Sequence, residues 1–134
     1  MRRSVWSAAA LVLLGTEALA FGPPMPTLQR VVASGRTQKI DIVISLDPTC
    51  QSMGLSQVNI LEPPRSGQIV TTQGREFPNF PSFNTRSRCN THRVPALVVS
   101  YQSAADFRGE DEFTLEFVGP LGVPRRLRYH VEVR

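Results

Sequence analysis

Two histidines, two cysteines and a tight group of carboxylates have the most direct access to chemistry in this chain. His92 and His130 are its imidazoles, and neither stands in an HExxH, GxSxG or Gly-rich phosphate-loop pattern. A serine triad needs Ser, His and an acid within hydrogen-bond reach. His130, between Arg128 and Glu132 on the polar side of the last segment, reads instead as a solvated surface residue. The reading is a protein that is not an enzyme and carries no cofactor.

Cys50 and Cys89 form an even pair, which in an oxidising compartment reads as a disulfide. Closing a loop of about 40 residues stabilises a fold by roughly 4 kcal/mol on the chain-entropy argument. A competing use is Cys89-Asn90-Thr91-His92 as half of a metal site. That site needs two further ligands, for which Cys50 and His130 are the available donors. Asp106, Glu110, Asp111 and Glu112 offer the hard oxygens that calcium prefers. Arg108 in their midst opposes that use, and Asp111 has an alternative task as a hydrogen-bond acceptor in a turn.

The segment from Arg75 to Arg93 is the most unusual. Phe77, Phe80 and Phe83 recur every third residue between prolines, and Arg86 and Arg88 follow them. An aromatic and cationic loop on a rigid scaffold makes a binding surface for sugars or anionic polymers, such as envelope glycans or lipid phosphates. The simpler alternative folds the phenylalanines over the end of the domain, with Cys89 tying the loop down and the arginines solvated.

These residues need a frame, and period-two alternation supplies it. Leu127, Tyr129, Val131 and Val133 alternate with Arg126, Arg128, His130 and Glu132. In residues 38–46, Ile40, Ile42, Ile44 and Leu46 alternate with Lys39, Asp41 and Ser45. Both patterns predict strands with one face on a core and one in water. Residues 55–61, 68–72, 96–101 and 112–118 also read as strands, with 27–33 a further candidate. Turn signals at 63–67, 73–74, 108–111 and 119–122 separate them. About seven short strands without a helical stripe predict an all-β, antiparallel sandwich over residues 28–134. Arg125, Arg126 and Arg128 lie on a strand read as a sheet edge, where positive charge discourages edge-to-edge aggregation.

The first twenty residues read as a secretory signal. Arg2 and Arg3 precede the apolar run Val5–Leu14, and Ala18-Leu19-Ala20 is a small-x-small cleavage site. That run is half of the roughly 20 residues a spanning helix needs. Residues 21–27 form a proline-rich lead-in. Removing Arg2, Arg3 and Glu17 takes the basic and acidic counts from 15 and 11 to 13 and 10, a net +3. The charge is spread along the chain rather than gathered in the dense basic stripe of a nucleic-acid binder. The expected product is periplasmic or secreted and not membrane-spanning.

Two pieces of the sequence resemble the repeat of bacterial cadherin-like and related immunoglobulin-like surface modules. Pro64-Arg65-Ser66-Gly67 is similar to its early Pro-x-x-Gly turn. Tyr101, Phe107, Gly109, Asp111 and Phe113 are similar to its later Tyr and Phe-x-Gly-x-Asp-x-Phe element. Ser103 stands where the repeat has proline, and the cysteine pair and arginine-rich loop are additions. The resemblance implies an immunoglobulin-like sandwich of about seven strands. Without a DxNDN-like linker, the family's calcium ligands do not carry over. The expected function is an exported binding module for an envelope glycan or another protein. Its rivals are an accessory subunit joined by strand-edge pairing and a calcium-dependent adhesion module, with Asp106, Glu110 and Asp111 as the calcium candidates.

Overall fold

The alternation at the end of the chain becomes β7 (Pro124–Val133), which buries Leu127, Tyr129, Val131 and Val133 and turns the residues between them outward. The computed structural model describes residues 24–134, so the expected signal and the start of the proline-rich lead-in lie outside the described residues. β7 runs antiparallel to β6 (Gly109–Val118) and parallel to β1 (Thr27–Val32). β1 takes in Thr27, so the lead-in ends at Pro26, whose carbonyl accepts the Arg128 N–H. β3 (Gln57–Glu62) completes a four-stranded sheet of order β1-β7-β6-β3. The facing sheet holds β2 (Thr37–Val43), β5 (Val94–Ser103) and β4 (Gly67–Glu76) in the order β2-β5-β4. The all-β sandwich predicted from alternation is therefore present, with the β1–β7 pair parallel where every pair was expected to be antiparallel. β7 is an interior strand and not the sheet edge its arginines suggested, because β1 lies alongside it.

The two sheets meet in a core in which Tyr101, Phe113 and Tyr129 stack. Their ring centroids are 5.9 Å apart across the sheets and 5.0 Å apart between β6 and β7. Burying rings of this size accounts for much of the apolar stabilisation, at about 25 cal/mol per Å² removed from water.

Two of the expected patterns are altered. A bulge between Lys39 and Asp41 breaks the alternation of β2. The Asp41 carboxylate, expected in water, instead accepts the Tyr129 hydroxyl at 2.6 Å. β2 stops at Val43, and Leu46 packs with Cys89 and Val94 in a second, smaller cluster. Gln73-Gly74, expected as a turn, lies inside β4 opposite Leu97 and Ala96. Ten successive ladder positions against β5 outweigh the turn preference of one Gln-Gly pair. Among the described residues no helix is long and apolar enough to cross a membrane.

Candidate functional site

Three connections meet at one end of the sandwich, and a disulfide fastens two of them. Beyond β4 the chain turns into a 3₁₀ segment, Thr85–Thr91, whose first turn is capped by the Asn84 side chain accepting the Arg86 N–H at 2.8 Å. Cys89 in this segment is bonded to Cys50 in the β2–β3 connection, with Cα atoms 5.5 Å apart. The pairing removes both thiolates from any Cys89–His92 metal site. Cys50 sits at φ 68°, in a turn organised by Asp47. The Asp47 carboxylate accepts Thr49 O–H, Thr49 N–H and Gln51 N–H at 2.7–3.0 Å. The Thr49 hydroxyl contributes most to holding that carboxyl below its ordinary pKa.

The aromatic and arginine residues singled out from the sequence are distributed over different tasks. Asn90 grips the Phe80 backbone on both sides, accepting its N–H at 2.9 Å and donating to its carbonyl at 3.0 Å. Phe80 thereby packs, partly buried, on the Leu46–Cys89–Val94 cluster. Phe77 is half exposed beneath Arg93, whose guanidinium lies 5.2 Å from the ring centroid. Phe83 is 90% exposed. Arg86 donates to the Leu46 carbonyl at 2.7 Å and Arg88 to that of Pro48, so both arginines fasten the 3₁₀ segment to the β2–β3 connection. The every-third-residue stripe does not exist as one surface. Phe80 and Arg86 converge on one groove, which neither Phe77 nor Phe83 lines.

What Phe80 and Arg86 join is an apolar groove of about 320 Å³, walled also by Ile44, Met53, Leu121 and Val123. It continues into a hollow of about 580 Å³ that shares Ile44, Phe80 and Val123 and reaches Asp41 and Arg125. The third wall is the β6–β7 turn, Gly119–Val123, where Gly122 adopts φ 77°. Leu121 is 77% exposed and Val123 68%. Sequence reasoning missed Met53, Leu121 and Val123. Residues 119–122 were read as a turn alone, and the signal that could have found them was an apolar residue held at the turn's tip.

The opposite end joins the two motif pieces through Asp111. Its buried carboxylate accepts the Arg65, Ser66 and Glu112 N–H groups, each at 2.9 Å, and the Tyr101 hydroxyl at 2.8 Å. Asp111 thus serves chiefly the Pro-x-x-Gly turn on another strand connection. Its bond to the Glu112 N–H lies within β6, because Gly109–Asp111, expected as a turn, pairs with β7. Gly67 closes that turn against the Tyr101 ring, where an added Cβ would come within 2.5 Å of Cζ. Gly109 takes the expected positive φ, at 138°, beside Phe107. Asp106 and Glu110 remain exposed while Asp111 is consumed by these donors. Among the described residues no three His, Cys, Asp or Glu side chains are grouped to hold a metal ion. His130 lies between Glu110 and Glu112, at 3.6 and 3.8 Å, on the outer sheet face.

No known protein-family pattern matches the chain, and no curated protein does. Among solved structures, the solution structure of Amebosin is similar at 13% identity, covering 83% of this chain and 99% of that one. Its TM-score of 0.41 is too low for the likeness to bear on fold or function.

Proposed function

We propose that this protein is an exported, non-enzymatic, immunoglobulin-like binding module of a bacterial envelope or periplasm, and that it binds through the loop end of its sandwich. The observation that carries the reading is the apolar groove built by three connections drawn from both sheets, with Leu121 and Val123 standing exposed at its rim. Loops held by a rigid sandwich are a common place for recognition. Here the disulfide and the Arg86 and Arg88 bonds to backbone carbonyls hold two of the three loops in place. Preorganisation of that kind reduces the ordering cost of binding.

The strand orders β7-β6-β3 and β2-β5-β4 support the immunoglobulin-like reading, since they correspond to the G-F-C and B-E-D sheets of such sandwiches. The basic start, apolar run and Ala-Leu-Ala site at residues 1–20 support export, as does a disulfide that persists in oxidising compartments.

The test is retention of fractionated envelope glycan, protein and lipid by the immobilised protein. Retention that is lost in Leu121→Asp and kept in Ala105→Asp, at the far end, supports the reading. Equal retention by both variants overturns it. A second reading has one observation of its own: β4 is a ten-residue edge strand paired only with β5, and its free side can accept a partner's strand.

A further inference from the structure

The geometry points to the chemistry of the partner: we infer that the loop end docks on an anionic lipid surface. This inference rests on the loop end being the binding surface. Its apolar residues do not only line a groove; several project from it. Phe83 next to Asn84, Leu121 and Val123 in the β6–β7 turn, and Met53 in the β2–β3 connection belong to three different connections. The 51–54 turn and the β6–β7 turn abut, since a Cβ on Gly54 would lie 3.6 Å from Pro120 Cγ. Phe83, Leu121 and Val123 are exposed by 68–90%, against 39% for Met53, and offer a rigid ligand little enclosure. They suit a deformable apolar phase, into which each tip removes apolar surface from water.

Charge selects the kind of surface. Arg86, Arg88, Arg93 and Arg125 surround this end, and among the described residues none pairs with a carboxylate. The carboxylates at this end are fewer, and Arg86 makes a minor through-space contribution to keeping Asp47 ionised. Asp41 accepts from Tyr129, Asp47 from Thr49 and Gln51, and Glu76 is paired with Lys39. Most other acids, among them Glu62, Glu110, Glu112 and Glu132, lie on the outer face or far end of the four-stranded sheet. Apolar tips beside four guanidinium groups, which outnumber the Asp41 and Asp47 carboxylates at this end, match a layer of anionic headgroups over acyl chains, each nearby cation adding attraction. The same positive ring disfavours a second copy of this chain on the same patch.

The experiment is co-sedimentation of the exported protein with sucrose-loaded vesicles, either phosphatidylglycerol mixed with phosphatidylcholine or phosphatidylcholine alone. Mass spectrometry first verifies the N-terminus, because an uncut apolar leader would bind lipid by itself. Expected is binding at least tenfold stronger to the anionic vesicles, weakened by raised salt as the charges are screened. Phe83→Asp and Leu121→Asp are expected to lower it at least tenfold with unchanged melting, and Ala105→Asp to leave it intact. Equal binding to both vesicle types, or tip variants that bind like the native protein, overturns the inference. If vesicles are not bound but envelope protein or glycan is still retained through Leu121, the lipid inference fails and the loop-end reading stands. If retention too is indifferent to Leu121→Asp, both fail.

Discussion

Tyr101 and Asp111 form a bond that joins the two sheets at the end opposite the groove, with the phenolic O–H donating to Oδ2 at 2.8 Å. The same carboxylate receives two N–H groups of the Pro64–Gly67 turn, so strand β5, strand β6 and the β3–β4 connection share one acceptor. Asp111→Ala orphans the buried Tyr101 hydroxyl, at about 1–3 kcal/mol, and removes the acceptor of the part-buried Arg65 and Ser66 N–H groups. A loss of about 3 kcal/mol or more is expected in urea denaturation. Tyr101→Phe leaves the turn bonds intact, and the expected loss is about 1 kcal/mol.

Gly67→Ala tests the same junction by sterics. Its Cβ would approach Tyr101 Cζ to 2.5 Å and the Gln102 carbonyl oxygen to 2.6 Å, and the backbone oxygen cannot swing aside. Overpacking of this kind costs about 1–3 kcal/mol. The midpoint of unfolding should fall accordingly, while Gly119→Ala, with open space around it, should not move it by a comparable amount.

The two buried tyrosines predict alkaline sensitivity. Burial first, then the bonds to Asp111 and Asp41, push the Tyr101 and Tyr129 hydroxyls well above their ordinary pKa. Protons are then held more tightly in the folded chain than in the unfolded one. Stability from these groups is complete below about pH 10 and declines as pH rises beyond it. Melting temperature measured from pH 7 to 11.5 should fall above pH 10. The Tyr101→Phe, Tyr129→Phe double variant should show a flatter alkaline limb from a lower starting point.

Reducing Cys50–Cys89 releases a loop with a sequence separation of 39. The expected loss is about 4 kcal/mol on the chain-entropy argument. Amide exchange should speed up first at residues 44–53 and 77–93, because the bond ties those two connections together. The Tyr101–Phe113–Tyr129 stack should remain the slowest region.

β7 was legible because it buries one face and turns the other outward, so the period-two signal survives intact. β6 was legible only from Glu112, since Gly109–Asp111 has a turn's composition, and its outward Thr114 is buried against Glu62. β2 was legible only as an element. The bulge that turns Asp41 inward depends on Tyr129, 88 residues away, and nothing in Gln38–Leu46 announces it. β4 was read too short because a local turn preference was weighed without the long β5 ladder that overrides it. The Phe-rich loop misled for a related reason. Equal spacing of Phe77, Phe80 and Phe83 suggested one surface, whereas Asn90 draws Phe80 down and leaves Phe83 out. The groove's third wall came from a turn whose apolar tip gains meaning only when two other connections lie beside it.

The most direct measurement of the central claim is chemical-shift mapping of the isotopically labelled protein titrated with the envelope fraction it retains. The account predicts perturbations at residues 44–46, 53, 80–84 and 119–123, with the Asp111 junction silent. Perturbations confined to the free edge of β4, or to the outer face around His130, would contradict it and move recognition away from the loop end.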